Sequence, residues 1–491
     1  MRKSTVLKLC IFFTGFSGLV AEYSIATLAT YLLGNAVFQW SVIISLFLLF
    51  MGVGSRLTRY ISDKNLVVTF VLAEVLLSLL VSLSPTVAYY FASYPSELRF
   101  IIYFLSAVVG TLIGLEIPVA VRINNKYEEL KVNLSSILEK DYLGSLPAGL
   151  LYAYFLLPKL GLPYTTLIAG FLNLSVAMLF SLFFPLNFAL RIVPFVAGVI
   201  LTLYGVFTPK IILYEEQRFY GEQIVSFFRT PYQKVVLTRY KNFYSLYLDG
   251  HLQFSTLDER RYHESLVHIP ASLISNYRKA LILGGGDGLA LREVIKYPFK
   301  SITLVDLDEE LLKFSKDNSL MRKINQNSFW DRRVKIISED AFNFVFKTNE
   351  KFDLVIIDLI DPRTFSSARV YSLEFYKKLK HILTERGVFI TQAGDVFFKR
   401  KVFCSILKTI RKAGFYTIPF VVNIPSMGEW GFIIGSKEKK TFKKLKIKGL
   451  YYLNDRLAKA FILIGSSVKC GNEEINRILK PIVLEYYYIS N

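Results

Sequence analysis

Long apolar stretches fill the first 212 residues of this 491-residue chain and constrain its fold more than any other feature. Each has close to the ~20 residues that a helix needs to cross a bilayer. The seven stretches lie at 6–31, 37–55, 66–92, 99–121, 142–160, 163–186 and 191–212. The first is too long for a signal peptide and lacks a small-residue cleavage site. Residues 1–212 are therefore predicted to form a multi-span α-helical domain of about seven helices, in contact with the lipid bilayer.

Basic residues flank these stretches unevenly, and cytoplasmic flanks usually carry the excess of Lys and Arg. Three flanks are basic, through Arg2, Lys3, Lys8, Arg56, Arg59, Lys64, Arg122, Lys126, Lys131 and Lys140. If these flanks are cytoplasmic, seven spans leave the C-terminal half outside. The nucleoside site described below needs a cytoplasmic metabolite, so we expect a multi-pass cell-membrane protein with a cytoplasmic catalytic domain. The span count and the charge bias cannot both agree with that expectation.

The net charge of +20 is compatible with nucleic acid, anionic lipid or the basic flanks of membrane helices. No arginine-rich run interleaved with aromatic residues occurs, so we expect no nucleic-acid partner. Cys10, Cys404 and Cys470 are far apart in the sequence, as are the four histidines. The spacing predicts neither a metal site nor a disulfide framework, and it is typical of a reducing compartment.

The C-terminal half reads as a soluble α/β protein. Residues 224–256 alternate polar and apolar residues, which predicts a small antiparallel sheet, and residues 258–275 are predicted to be helical. The small β domain is therefore placed at 213–270. Residues 271–440 then alternate strands with helices, which predicts a doubly wound Rossmann-like domain of the methyltransferase type with a parallel-rich sheet. The strand candidates are 280–283, 302–305, 334–337, 353–357, 387–391 and 431–434. Residues 441–491 are predicted to form a C-terminal tail that is basic and then partly helical.

A glycine turn follows the first predicted strand of the α/β domain. The segment Gly284–Gly288 contains four glycines, and Asp306 ends the next predicted strand about twenty residues later. This spacing is typical of a nucleoside-binding βαβ unit, in which the later acid accepts hydrogen bonds from ribose hydroxyls. Asp287 lies inside the turn. Its carboxylate suits a positively charged ligand and argues against the pyrophosphate of NAD or FAD.

Further acids follow the next predicted strands, at the sheet edge where ligands bind in open α/β folds. Asp340 and Ala341 follow the strand at 334–337 and either touch a nucleoside base or simply begin a helix, with Asp340 as its N-cap. Asp358 and Asp361 follow the strand at 353–357. Two carboxylates at this edge can divide the work, one accepting a proton and the other holding a cation. The alternative is a polar loop with a capping aspartate.

Several motifs occur together in one order and resemble the spermidine synthases, the polyamine aminopropyltransferases. They are Pro231-Tyr232-Gln233-Lys234, Leu248–Gln253, Asp258-Glu259 with Tyr262-His263-Glu264, the turn Gly284–Gly288 with Arg292-Glu293-Val294, and Asp358–Pro362 with Tyr371-Ser372 and Phe375-Tyr376. The resemblance covers roughly 215–440. The first half, with Gly114–Pro118 and Asp141–Gly144, is similar to the membrane-embedded branch of that family.

The resemblance implies transfer of an aminopropyl group from decarboxylated S-adenosylmethionine to an amine such as putrescine, giving spermidine and methylthioadenosine. The decarboxylated S-adenosylmethionine is a co-substrate, and neither a cofactor nor a metal is expected. Asp358 would be the base, and Tyr262 would help to hold the attacking amine. The nucleoside would lie against Gln233, Asp306, Asp340, Ala341, Gly284 and Gly286, and the amine groups against His263, Asp287 and Asp361. Family members often form oligomers through the small β domain, so a homo-oligomer is expected by resemblance.

This sequence departs from the family pattern at three places, which leaves the acceptor amine open. Asp306 stands where the family usually has Glu, and Arg363-Thr364-Phe365 stands where Gly-Pro commonly follows the second aspartate. Ile424 stands where many members have an amine-binding Tyr. A methyltransferase using S-adenosylmethionine is the alternative on the same fold, but Asp287 would repel the carboxylate of that ligand. A non-catalytic polyamine-binding or transport protein is the alternative from another class.

Four acids lie in or at the edges of the apolar stretches: Glu22, Glu74, Glu116 and Asp141. A charge inside a bilayer is costly and is usually either paired or functional. One interpretation is a cationic path or site for polyamines. The other is pairing between helices, or an interfacial position for Asp141, with Arg122 as a candidate partner for Glu116.

Overall fold

The computed structural model describes residues 3–92 and 94–489, so Arg2 of the first basic flank lies outside the described residues. The chain divides into two compact units, Met1–Gln223 and Ile224–Asn491. Each unit has its own buried apolar clusters. The boundary that the sequence places after residue 212 lies inside the last helix of the first unit, which continues to Tyr220.

The first unit is helical throughout because its apolar stretches leave the backbone no polar partner except itself. Within the described residues its α-helices are α1 Lys3–Leu33, α2 Ala36–Leu57, α3 Leu66–Tyr90, α4 Pro95–Asn124, α5 Leu130–Leu151, α6 Gly161–Phe183 and α7 Phe188–Tyr220. Six segments of this described part are long and apolar enough to cross a membrane, by length and composition. The fifth, Leu130–Phe183, has 54 residues because α5, a wider helical turn at Tyr152–Leu160 and α6 follow one another without a loop.

The 54-residue segment reverses direction at Gly161, whose φ of 74° lies in the left-handed region that glycine adopts readily. Before the reversal, the Tyr152 hydroxyl lies 2.8 Å from Thr27 Oγ1, near the end of α1. After it, Asn173 accepts a hydrogen bond from Ser17, nearer the start of α1. The two halves therefore run in opposite directions beside α1. The six candidate segments overlap all seven apolar stretches of the sequence because the fifth segment includes two of them almost completely.

The basic flanks of the sequence meet at one end of this helical unit. Lys8 of α1 pairs with Glu128, just before α5, at 2.6 Å. Arg122, at the end of α4, pairs with Asp63, just before α3. The first half of α7 packs in the apolar cluster at this same end. Since α7 then continues away from it, the helical unit begins at the basic end and finishes at the opposite end.

The second unit begins with a small antiparallel sheet in the order β1-β2-β3-β4. Its strands are β1 Gln223–Arg229, β2 Lys234–Tyr240, β3 Phe243–Leu248 and β4 His251–Ser255. Lys241 and Asp249 have positive φ values of 55° and 49° in the two tight turns that the sequence predicts there. Helix α8, Glu259–Ala271, follows the sheet. These elements agree with the predicted small antiparallel β region.

A larger mixed sheet forms the centre of the second unit, in the order β10-β11-β9-β8-β5-β6-β7. The strands are β5 Lys279–Gly284, β6 Ser301–Asp306, β7 Val334–Ser338, β8 Phe352–Asp358, β9 Leu383–Asp395, β10 Tyr416–Ile424 and β11 Gly428–Ser436. Strands β5 to β9 pair in parallel, whereas β10 and β11 are antiparallel. The Rossmann-like fold class is confirmed, although the sequence analysis missed β10.

Helices cover both faces of this sheet. They are α9 Leu289–Val294, α10 Glu309–Asp317, α11 Ser319–Ile324, α12 Ala341–Lys347, α13 Phe365–Ala368, α14 Leu373–Ile382, α15 Arg400–Lys412, α16 Asp455–Ser466 and α17 Ile482–Tyr488. The last two come from the segment that the sequence separates as a tail. Ala458 and Phe461 of α16 are buried in one core cluster and Val483 of α17 in the other. This segment therefore packs as part of the second unit.

A disulfide joins Cys404 of α15 to Cys470 in the C-terminal segment, with the two Cα atoms 5.5 Å apart. The prediction of no disulfide was wrong because the two residues are 66 positions apart and only the folded tail brings them together. Glu473 lies close enough to both sulfur atoms to complete a three-residue metal-ligand group within the described part of the chain. The disulfide occupies both sulfur atoms, so the group offers no thiolate while the bond is intact.

Candidate active site

The glycine turn closes the carboxyl end of β5 against two neighbouring strands. Gly284, Gly285 and Gly288 have φ values of 83°, 67° and 83°, which residues with side chains rarely adopt. A side chain at Gly284 would come within 2.1 Å of the Asp358 carbonyl oxygen on β8. The amide of Gly286 donates to Asp306 Oδ2 at 3.1 Å. The turn thus connects the ends of β5, β6 and β8, and its lack of side chains allows a ligand to come close to the protein backbone.

Asp306 and the small sheet meet through a second acid, Asp308. Asp306 Oδ1 accepts from the amide of Asp308 at 3.0 Å, and burial raises the pKa of Asp306 to about 6. Gln233 Nε2 donates to Asp308 Oδ2 at 2.8 Å, and Thr230 donates to the same oxygen at 2.7 Å. The predicted nucleoside residues Gln233 and Asp306 are therefore brought together, with Asp308 between them. Asp308 lies two residues after the end of β6, and this position could have indicated a site residue from the sequence.

Asp358 ends β8 directly opposite Gly284 in the register of the sheet. The Tyr262 hydroxyl of α8 donates to Asp358 Oδ1 at 2.7 Å. The second oxygen, Oδ2, lies beside the turn, where a side chain at Gly285 would approach it to 3.2 Å. Burial raises the pKa of Asp358 to about 6; the Asp287 charge also raises it, and His263 and the Tyr262 hydrogen bond oppose the rise. This carboxyl is ionised at neutral pH and is a stronger base than an exposed aspartate.

Asp287 and His263 interact electrostatically with Asp358 and with each other. Asp287 Oδ1 accepts from the amide of Leu289 at 2.8 Å, and burial raises the pKa of Asp287 while His263 lowers it. His263 Nδ1 contacts the carboxylate and the carbonyl oxygen of Glu259 at 3.0 and 2.9 Å. Burial opposes the charged imidazole, but Glu259 outweighs it and raises the pKa of His263. An imidazole stabilised in its charged form therefore lies close to two carboxylates of the site.

Arg292 anchors this arrangement from the buried side. Its guanidinium donates to both oxygens of Glu259, at 3.0 and 2.8 Å, in a bidentate pair. Burial opposes ionisation of Glu259, but His263 and Arg292 hold its pKa at about 2. Glu293 accepts from Arg292 at 2.8 Å and from His268 at 2.9 Å. The sequence analysis recorded Arg292 and Glu259 in motifs without a role, because only folding joins α8 to α9.

Asp361 lies on the loop after β8 and already has a cationic partner. Gln392 Nε2 donates to its Oδ1 at 3.2 Å, and Arg363 Nη2 donates to its Oδ2 at 3.3 Å. The Arg363 guanidinium also lies 5.6 Å from the centre of the Tyr487 ring in α17. Asp361 is 8% exposed. Gln392, from the middle of the sheet, is a site neighbour that the sequence analysis missed.

Asp340 and Ala341 lie where α12 begins, after β7. Asp340 Oδ1 accepts from the amide of Asn343 at 3.0 Å, which is an N-cap, and its Oδ2 accepts from Arg369 at 2.6 Å. The helix-capping interpretation of Asp340 is thus correct as far as its contacts go. Both oxygens therefore have a partner within the protein, and a ligand contact would use a further lone pair of this partly exposed carboxylate.

Comparison with known proteins identifies the family. Residues 259–447 match the spermine/spermidine synthase domain. The chain is 64% identical over 490 residues to the polyamine aminopropyltransferase 2 of Aquifex aeolicus, covering 99% of each sequence. The chain belongs to the polyamine aminopropyltransferase family. This confirms the predicted resemblance and the transferase class, and it favours both over a methyltransferase or a transport protein.

Two further known proteins are similar to this chain over different shares of its length. The chain is 36% identical to the polyamine aminopropyltransferase of Leptospira interrogans, covering 98% of each sequence. A spermidine synthase crystallised with the transition state analogue AdoDATO is 27% identical, covering 49% of this chain and 85% of that chain, with a TM-score of 0.46. The two named relatives match along nearly their whole length, so the helical unit is shared with them.

Proposed function

We propose that this chain transfers the aminopropyl group of decarboxylated S-adenosylmethionine to a diamine such as putrescine, giving spermidine and methylthioadenosine. The observation that carries the proposal is the Asp358 carboxylate, hydrogen-bonded through one oxygen to Tyr262 and open on the other towards the glycine turn. The family assignment supports this turn as the binding place of the nucleoside co-substrate. No cofactor enters the reaction.

The reaction is a displacement at carbon. A neutral amine nitrogen attacks the propyl carbon next to the sulfonium, the new C–N bond takes the nitrogen lone pair, and the C–S bond electrons return to sulfur. Methylthioadenosine leaves uncharged. The nitrogen becomes positively charged and has one proton to lose, and Asp358 accepts a proton from this amine. A carboxylate with a pKa near 6 suits the task because it is free at neutral pH and still basic.

Asp287 would select the co-substrate by charge. The aminopropyl group ends in an ammonium, which the Asp287 carboxylate can bind, whereas S-adenosylmethionine carries a carboxylate nearby that Asp287 would repel. His263 offsets part of the negative charge of Asp287 and Asp358. The site therefore holds the acids Asp287 and Asp358 near one imidazole, and this excess of acidic groups favours a cationic ligand.

The nucleoside would lie along the strand ends. Asp306 would accept the ribose hydroxyls, with Gln233 held beside it by Asp308. Gly284 and Gly286 would allow the ligand to approach the turn, and Asp340 with Ala341 would meet the base. Asp306 and Asp340 lie at adjacent strand ends, since β6 pairs with β7, and each carboxylate oxygen can accept a further hydrogen bond through its second lone pair.

The test is release of methylthioadenosine by the detergent-purified full chain, given decarboxylated S-adenosylmethionine and a panel of diamines and polyamines. We expect amine-dependent release by the wild type and its loss in Asp358→Asn. Asp317→Asn, an exposed aspartate at the end of α10, is the matched control and should release at the wild-type rate. Binding of the nucleoside without release for any amine would contradict the proposal.

We also propose that the first unit lies in the cell membrane. Large apolar side chains face outwards along its helices, where lipid would cover them. Examples are Leu48 at 66% exposure, Phe100 at 67% and Leu146 at 67%. Membrane fractions washed with alkaline carbonate should retain the full chain. Its release into the supernatant would contradict a spanning unit.

The catalytic unit should face the cytoplasm, because its nucleoside co-substrate is a cytoplasmic metabolite. The basic end of the helical unit and the exit of α7 at the other end favour the reverse, since basic flanks are usually cytoplasmic. An impermeant thiol reagent on intact cells decides between them. Asn349→Cys, exposed on the second unit, should react only after lysis, whereas Ser62→Cys at the basic end should react in intact cells. Labelling of Asn349→Cys in intact cells would overturn the cytoplasmic location.

A further inference from the structure

A layer of polar side chains crosses the middle of the helical unit. Two apolar clusters fill the unit, one at the basic end and one at the opposite end. Along α1, α4, α5 and α6 polar side chains lie among the residues between these clusters, and on α3 a glutamate lies where one cluster gives way to the other. The layer consists of Thr14, Ser17, Glu74, Glu116, Asp141 and Asn173. Three of its members are carboxylic acids, from three different helices.

The acids of this layer lack the basic partner that the sequence analysis considered. Arg122 does not pair with Glu116; its guanidinium binds Asp63 and donates to the Thr58 carbonyl oxygen at 2.7 Å. Lys140 is next to Asp141 in sequence but pairs with Glu139 at 2.7 Å. Among the described residues, no ion pair joins Arg or Lys to Glu74, Glu116 or Asp141. The pairing interpretation of these acids was therefore wrong for Arg122.

Glu74 is the clearest member of the layer because it has no hydrogen-bond partner in the described part of the chain. Its side chain is 0% exposed, and both carboxylate oxygens are buried and unpartnered. It interacts electrostatically with Glu116, which in turn interacts with Asp141. A buried carboxylate without a partner is costly, and inside a membrane it usually marks a ligand site.

We propose that this layer binds an aliphatic ammonium cation, a diamine or polyamine, at a second site distinct from the catalytic one. Terminal ammonium groups donate three hydrogen bonds each and would satisfy Glu74, Glu116 and Asp141. The methylene chain between them would lie against the apolar clusters on either side. Mg²⁺ or Ca²⁺ would instead require a compact shell of six or more oxygen atoms. The choice of amines rests on the proposed function, whereas the cation site rests on the helical unit alone.

The experiment is equilibrium binding of radiolabelled spermidine to the detergent-purified full chain carrying Asp287→Asn, which weakens the catalytic site. We expect one saturable site to remain. Adding Glu74→Gln or Glu116→Gln should weaken it at least roughly tenfold, because a buried charge partner is removed. Glutamine keeps the side-chain shape and removes a buried charge, so both variants should fold. Glu139→Gln, exposed on α5 and paired with Lys140, is the matched control and should bind normally.

Competition identifies the ligand. Putrescine should displace the labelled spermidine. Octane-1,8-diol, which is similar to spermidine in length but uncharged, should not. Sodium competing as strongly as putrescine at equal concentration would replace the proposal with an inorganic cation site. Unchanged spermidine binding in both Glu74→Gln and Glu116→Gln would overturn the proposal, provided that both variants unfold in detergent at the wild-type temperature. The outcome is separable from the transferase proposal, because methylthioadenosine release is measured on the wild-type chain without reference to this layer.

Discussion

The chain contains two groups of buried acids, and they differ in how the protein satisfies them. At the sheet edge every acid has a partner: Asp358 has Tyr262, Asp287 has a backbone amide and the charge of His263, and Glu259 has Arg292. In the helical unit Glu74 has none in the described residues. A carboxylate with partners is oriented by the fold itself, whereas the charge of a buried carboxylate without partners is stabilised only when a ligand binds to it.

The largest effect that would test the satisfied group is loss of its base. Asp358→Asn keeps the shape of the side chain and can still contact the Tyr262 hydroxyl, but an amide does not accept a proton from an ammonium. We expect turnover to fall about 10²- to 10⁴-fold, the range typical of a lost general base. Single-turnover release of methylthioadenosine measures this. A variant that retains a tenth of the wild-type rate would show that the proton goes elsewhere.

The sequence predicted the edge of the sheet well because acids that directly follow buried strands must meet there. Asp306 and Asp358 end β6 and β8, and the register places Asp358 opposite Gly284. The Arg292 contact with Glu259 could not be read in the same way, since it joins two helices whose packing the local pattern does not encode.

The C-terminal segment was the least predictable region. Its basic composition resembles a free tail, yet α16 and α17 bury apolar side chains, and the disulfide ties the segment to α15. Cysteine spacing carries no information about pairs so far apart. The same holds for Glu74: its apolar surroundings predict burial, but only the packed helices reveal that no basic side chain among the described residues pairs with it.

Charge selection by Asp287 should produce the next largest effect. Asp287→Asn removes the anion proposed to bind the aminopropyl ammonium, so KM for decarboxylated S-adenosylmethionine should rise about 10- to 100-fold. S-adenosylmethionine should at the same time become a stronger competitive inhibitor, because its carboxylate no longer meets a like charge. Steady-state kinetics with both ligands measure the two effects. A parallel weakening of both would indicate a distorted turn rather than charge selection.

The pH dependence should report the base directly. Asp358 must be ionised to accept a proton, and its pKa is about 6, so kcat/KM should fall about tenfold for each pH unit below 6. Protonation of the amine substrate also lowers the rate in acid. Tyr262→Phe separates the two, because loss of the hydrogen bond should raise the Asp358 pKa and move the profile to higher pH. An identical profile in both proteins would assign the titration to the amine.

Substitution of Arg363 should have the smallest effect of these changes. It tests whether an acid at the sheet edge is held by a basic partner, which Glu74 lacks among the described residues. Asp361, implied by resemblance to bind the amine, is already paired with this guanidinium, which stands where the family commonly has Gly-Pro. The pair is partly exposed, so its strength is modest. Arg363→Gln should free Asp361 and lower KM for the diamine about two- to fivefold, with kcat little changed. Lys377→Gln, a lysine on α14, is the control for charge alone. A higher KM in Arg363→Gln would mean that the guanidinium positions Asp361 for the amine instead of competing with it. Arg363 would then assist amine binding at the catalytic site, whereas no Arg or Lys of the described residues pairs with Glu74 in the helical unit.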